Sequence, residues 1–246
     1  VFTPAQREKL RDSLVAAART DPRISAAALT GSAAAGREDA WSDIDLAFRL
    51  ADDADLEPAL AEWTERMHRE HGAVDHLDLP LGATVFRVFL LASTLQVDLA
   101  FWPPGEFGAT GPTFRLLFGA ANERPAARPP AVEQLVGMGW LYALHARSSI
   151  ARGKGWQAEY MLSGMRDQVI ALACLRHGLP PNEGRGVDAL PADVTDSLTA
   201  TLVGALDDAT LRRGFAATTQ ALLAEAAHAD TELAARLRAP LEAMTD

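Results

Sequence analysis

The sequence predicts an α+β chain: an N-terminal domain over residues 1–126, built on a mixed β-sheet with helices on one face, followed by an all-helical bundle over residues 127–246. Three observations lead there. Period-two alternation of apolar residues is confined to the first half, and helical periodicity fills the second. Between them, Glu123-Arg124-Pro125-Ala126-Ala127-Arg128-Pro129-Pro130 has the composition of a linker. With 246 residues, 48% hydrophobic and 23% charged, the chain can bury a sizeable core.

Thr3-Pro4 is a helix start, Thr as N-cap and Pro at the first helical position, and the helix should run to about Arg19 with Leu10, Leu14, Val15 and Ala18 on one side. Asp21-Pro22 ends it before a strand from Ile24 to Leu29. A turn at Gly31-Ser32 and a short helix from Ser32 to Gly36 lead to a strand ending at Leu50. An amphipathic helix then spans Leu56 to His71 and stops at Gly72. Three further strands are expected at Val74–Leu79, Val85–Leu91 and Leu95–Trp102, with Pro103-Pro104-Gly105 closing the sheet. The second half should hold helices near 131–152, 157–177, 191–206, 208–228 and 231–245.

The chemistry concentrates on two strands. In Asp43-Ile44-Asp45-Leu46-Ala47-Phe48-Arg49-Leu50, the residues Ile44, Leu46, Phe48 and Leu50 form an apolar face, so Asp43 and Asp45 share the other, open one. Leu95, Val97, Leu99 and Phe101 repeat the pattern, leaving Gln96, Asp98 and Ala100 opposite. If the strands are neighbours, three carboxylates meet. Two unit charges about 5 Å apart repel by about 3 kcal/mol at an effective dielectric near 20, which a divalent cation would offset. Mg²⁺ suits such a set, because it prefers carboxylate oxygens and completes its shell with water and substrate phosphate. Gly31 lets backbone N–H groups approach a phosphate, and Ser32 adds a hydroxyl.

Leu29-Thr30-Gly31-Ser32, then Trp41-Ser42-Asp43-Ile44-Asp45-Leu46, then Val97-Asp98-Leu99 resembles the signature of the nucleotidyltransferase superfamily related to DNA polymerase β. Within it, the short N-terminal domain and helical C-terminal half look most like the aminoglycoside and lincosamide nucleotidyltransferases. The motif covers residues 29 to 101, and beyond it the likeness is architectural. The resemblance implies a Mg²⁺-dependent enzyme of the EC 2.7.7 class, using two ions and ATP or another NTP. It would transfer a nucleoside monophosphate, AMP by preference, to a small-molecule hydroxyl, with antibiotic resistance as a biological role. Asp43, Asp45 and Asp98 would be catalytic and hold metal, with Asp98 a metal ligand, a general base or both; Gly31 and Ser32 would bind the nucleotide.

In the helical half, Lys154 stands between two glycines at a helix start, placed to reach a triphosphate. The resemblance supports that role, since such enzymes draw nucleotide contacts from the helical domain. Glu159, Ser163, Arg166 and Asp167 fall on one polar stripe of the following helix, and Glu159, Tyr160 and Asp167 are the candidate acceptor-binding residues. Arg87 is open between a cleft role and a structural ion pair.

A net charge of −10 argues against a polynucleotide partner and favours a cationic small-molecule acceptor. No stretch has the apolar length of a membrane span, and no basic-then-apolar leader is present, so a cytoplasmic protein is expected; the oligomeric state is open. Cys174, the single cysteine, lies in an apolar helical run and should be a buried reduced thiol. Gly31 to Gly36 has P-loop glycine spacing, but Arg37-Glu38 stands where Lys and Ser/Thr are needed. His68, His71, His76 and Asp78 lack a ligand spacing and are expected to be structural. Two other functions fit an Asp-x-Asp: a nucleotide-sugar-dependent glycosyltransferase, against which Gly31-Ser32 speaks, and a protein-modifying or antitoxin-type nucleotidyltransferase.

Overall fold

The computed structural model describes residues 1–245 and divides into two units, Val1–Ala127 and a second beginning at Arg128. The first unit opens with α1 (Pro4–Thr20), whose Thr3 side chain and Gln6 form a reciprocal capping box. It continues through β1 (Ile24–Thr30), the single turn α2 (Gly31–Ala34), β2 (Ile44–Leu50), α3 (Leu56–His71), β3 (Ala73–Leu81), β4 (Thr84–Leu91) and β5 (Gln96–Trp102), and ends with β6 (Phe114–Phe118). The strands lie in the order β3-β4-β5-β2-β1-β6. Only β2 and β5 pair in parallel; every other pair is antiparallel.

One sheet face packs on α1 and α3. Ile44, Leu46, Phe48, Val97, Leu99 and Phe101 are buried there with Leu14, Trp63 and Met67. Trp63 anchors this layer: its ring centroid lies 4.7 Å from that of Phe48, and its indole N–H donates to Asp21 at 3.0 Å. Burial pushes the Asp21 carboxyl up, but hydrogen bonds from Arg23 and Trp63 outweigh it and hold the group below the usual carboxylate range.

Two features of this unit differ from the sequence expectation. Pro103-Pro104-Gly105 does not close the sheet, because β6 adds a sixth strand along β1. The face expected to be open is open only toward the acid-bearing end: further along, Ala26, Ala28, Ala47 and Ala100 are buried with Phe107. Of the two readings open for Arg87, the structure takes the ion pair: the residue lies on the helix-covered face rather than with the acids. Its guanidinium grips Asp78 through two bonds of 2.6 Å and donates to the Leu60 carbonyl and the Thr64 hydroxyl. A charge can sit on a packed face when it is paired with an opposite charge and hydrogen-bonded.

The second unit contains α4 (Val132–Ala151), α5 (Gly155–Arg176), α6 (Ala192–Thr199), α7 (Asp208–Ala229) and α8 (Thr231–Glu242), with a short 3₁₀ turn at Val187–Ala189. Its core runs through Val136, Ala143, Leu162, Met165, Val169, Phe215 and Leu222. The helix expected over 191–206 ends at Thr199. Arg166 of α5 explains part of this, since it donates to both the hydroxyl and the carbonyl of Thr201, holding the chain after α6 out of helical register. Cys174 is a free, buried thiol, pushed up by burial and by the nearby Glu225 charge. Among the described residues, no helix is long and apolar enough to cross a membrane.

Arg87→Ala should lower the unfolding free energy by about 1–3 kcal/mol, because the Leu60 carbonyl and Thr64 hydroxyl lose a buried donor. Urea denaturation of the variant checks this.

Candidate metal and phosphate site

The site grows from the parallel pairing of β2 with β5. Their register sets Ile44 opposite Val97, Asp45 opposite Asp98 and Leu46 opposite Leu99. With the apolar residues committed to the helix-covered face, Asp45 and Asp98 must emerge side by side on the other. Asp43 immediately precedes β2 and joins them. One carboxylate oxygen from each of Asp43, Asp45 and Asp98 lies within 4.8 Å of the other two, and all three residues are half-buried. Among the described residues, this is the one His/Cys/Asp/Glu grouping able to hold a metal ion.

Gly31 is where the chain leaves β1, with φ +60, a conformation that favours glycine. Its missing side chain matters as much as its φ, since a Cβ at this position would fall inside the Asp45 carboxylate. Next to it, the Ser32 hydroxyl oxygen is buried and has no hydrogen-bond partner. A buried hydroxyl without a partner is costly unless something else fills the position. The first amides of a helical turn likewise lack partners within it. Three hard carboxylate oxygens beside an unmet hydroxyl therefore fit Mg²⁺ and a phosphate chemically.

Two residues that sequence reasoning did not place in the site support it. The Gln96 amide donates to Asp98 at 2.9 Å and reaches Asp43 at 3.4 Å, so it braces both acids. Its position two residues before Asp98 on an alternating strand was the available signal. Arg7 is buried on α1 and donates to the carbonyls of Asp39 at 2.5 Å and Ser42 at 3.1 Å, pinning the loop that delivers Asp43. Inside that loop the Asp39 carboxylate accepts from the Trp41 amide and the Ser42 hydroxyl. No local pattern in the sequence ties residue 7 to residue 42.

Asp98 is pushed up to about 6, chiefly by burial; the Gln96 hydrogen bond opposes the rise and the Asp43 charge adds to it.

The remaining candidates belong to the helical unit. Glu159, Tyr160 and Asp167 line one hollow of about 230 Å³ with Tyr142, Ser163 and Gly164. Gly164 is needed there, since the Tyr142 ring occupies the space a Cβ would take. Burial raises Asp167 above the usual carboxylate range, with Arg166 opposing. Arg166 itself is committed to Thr201. Lys154 is exposed at the N-cap of α5, one turn before Glu159. His68 and His76 meet edge to face at 6.0 Å, His76 lies against the Phe89 ring, and the His68 Nδ1 is 2.8 Å from the Ala73 carbonyl.

No family profile and no curated protein matches the sequence. Among solved structures, the chain is similar to an aminoglycoside 6-adenyltransferase from Bacillus subtilis, at 14% identity and a TM-score of 0.36 over 99% of each chain. At that divergence the likeness is coarse, and the chemistry is read from the residues themselves.

Asp98→Asn should stabilise the metal-free protein at pH 7.5 by about 1–2 kcal/mol, after allowance for solvent screening. The sign follows from a folded value raised to about 6. Protonated Asp98 favours the fold below its unfolded value near 3.9, and that contribution is lost as pH rises through 6. Denaturant titrations in EDTA should show the gap between variant and wild type closing as the pH falls to 4.

Proposed function

We propose that this protein is a metal-dependent nucleotidyltransferase that moves a nucleoside monophosphate, AMP from ATP by preference, to a hydroxyl of a small molecule and releases pyrophosphate. The observation that carries this reading is the meeting of Asp43, Asp45 and Asp98 within 4.8 Å beside a glycine whose missing side chain makes room for one of them. Such crowding of charge is expensive in the free protein and is useful where cations and phosphates gather.

In this reading, Asp43, Asp45 and Asp98 would hold Mg²⁺, which when bound neutralises charge developing on the phosphates. The Gly31 and Ser32 amides and the Ser32 hydroxyl receive the β- and γ-phosphates. The acceptor hydroxyl oxygen attacks the α-phosphorus, and the bond from that phosphorus to the bridging oxygen breaks on the far side. Asp98 takes the hydroxyl proton, with Gln96 fixing its carboxylate. Little covalent work falls to the protein: it positions the reactants and stabilises charge.

The helical unit carries candidates of its own: Lys154 for a phosphate, and the Glu159, Tyr160 and Asp167 hollow for an amine-bearing molecule. Two carboxylates and two tyrosine rings offer ion pairing and cation–π contact to a protonated amine. The resemblance in sequence makes aminoglycosides and lincosamides the first acceptors to try.

The test is pyrophosphate release from each NTP with Mg²⁺ and a panel of these acceptors. Asp43→Asn and Asp45→Asn should each lower turnover by about a thousandfold or more, with unchanged circular dichroism. Ser32→Ala should cost about tenfold to a hundredfold through loss of one phosphate donor. Turnover near wild type in either aspartate variant would refute the assignment, and release of a nucleoside diphosphate from a nucleotide-sugar supplied in place of the NTP would indicate sugar transfer.

A further inference from the structure

The sheet face that bears the acids does not end at Asp98. In the antiparallel register of β4 with β5, Val88 stands opposite Asp98 and Leu90 opposite Gln96; on β3, Leu77 stands opposite Val88 and Asp75 opposite Leu90. Strands are about 4.8 Å apart, so Val88 is one spacing from the third acid and Leu77 two. These residues line a hollow of about 190 Å³ together with Gln96, which also braces Asp98 and Asp43. Its character is mainly apolar, and its leucines are strongly exposed: Leu77 at 59%, Leu90 at 51%, with Leu79 next along the strand at 49%. Contiguous apolar surface of this kind marks a binding site more often than chance.

The position of the hollow says what it would bind. Across the face the order is Gly31 and Ser32 at the end of β1, Asp45 on β2, Asp98 on β5, Val88 on β4 and Leu77 on β3. In an in-line displacement, nucleophile and leaving group lie on opposite sides of the phosphorus. With the leaving pyrophosphate on Gly31 and Ser32, the attacking hydroxyl must come from beyond Asp98, over β4 and β3. Resting on the nucleotidyltransferase reading, we infer that the Leu77, Val88 and Leu90 hollow is the acceptor subsite, and that the acceptor carries an aliphatic or aromatic arm next to its reacting hydroxyl. An acceptor made of polar sugar rings alone would leave this surface unfilled. Asp75 at the rim admits a cationic group on the same arm.

The experiment uses the full chain with methyl-labelled leucine and valine, Mg²⁺ and α,β-methylene-ATP, so that no turnover occurs. Lincomycin, a hydroxylated sugar joined to an alkyl-proline arm, is titrated in parallel with kanamycin, two amino sugars on an aminocyclitol with no apolar arm. Lincomycin should shift the Leu77, Val88 and Leu90 methyl signals while kanamycin leaves them in place. In pyrophosphate assays, Leu77→Asp and Leu90→Asp, both at exposed positions, should raise the lincomycin KM about tenfold and change kcat and the ATP KM less than twofold. Unmoved methyl signals, or signals that shift with protein concentration before any ligand is added, would overturn the inference; the latter would assign the strip to a second copy of the chain. Absence of pyrophosphate with every acceptor would sink the transferase reading alone, since methyl shifts on lincomycin binding report the subsite without turnover.

Discussion

The parallel pairing of β2 with β5 is the constraint on which the candidate site rests. A shift of one residue along that ladder would turn Asp98 into the packed layer and bring Val97 or Leu99 out beside Asp45. What prevents the slip is the helix-covered face: Ile44, Leu46 and Phe48 must be buried together with Val97, Leu99 and Phe101. The hydrophobic term holding the sheet to α1 and α3 thus also sets the spacing of the acids. A parallel neighbour requires a crossover, which α3, β3 and β4 provide.

Holding the acids there works against stability. Asp98 is displaced upward by burial and by Asp43, Ser32 keeps a buried hydroxyl unmatched, and Gly31 occupies a left-handed conformation where a Cβ would collide with Asp45. Each departs from what a purely structural sheet end would select, and they fall on consecutive or directly paired positions. Departures gathered in one place are what a ligand-binding site would produce, and they are the physical basis of the proposal. The surrounding structure absorbs the strain. Gln96 spans two of the acids, and Arg7, itself paired with Glu38, holds the loop before Asp43 through two carbonyls.

Much of this was legible in the sequence because it obeys simple periodicities. α3 begins and ends at the predicted residues, its end fixed by Gly72 in a left-handed conformation. Alternation in β2 and β5 was enough to put Asp45 and Asp98 on one face. The misses share a different cause, namely partners distant in sequence. β6 is five residues, Phe114-Arg115-Leu116-Leu117-Phe118, with no clean alternation, and becomes a strand by pairing with β1 more than eighty residues earlier. Arg87, open in the sequence between a cleft role and an ion pair, takes the ion pair because Asp78, Leu60 and Thr64 close around it. The early end of α6 reflects Arg166 of α5, whose hold on Thr201 could not be inferred from residues 191–206 alone.

Strand order also gives the acid face a direction. At the β1 end, backbone amides and a hydroxyl offer hydrogen bonds to an anion; at the centre, carboxylates call for cations; at the β3 end, Leu77, Val88 and Leu90 offer nothing to a charge. A face that were acidic throughout would bind cations anywhere along it, and one that were apolar throughout would bind none. Under the proposed transfer, this sequence of environments would distinguish the two ends of a reacting complex without any moving part. It arises because β5 pairs with β2 on one side and β4 on the other, so Asp98 stands between Asp45 and the apolar pair Val88 and Leu77, with Asp75 only at the rim beyond. Chemistry that needs a departing anion on one side and an uncharged nucleophile on the other is the kind such a gradient can orient.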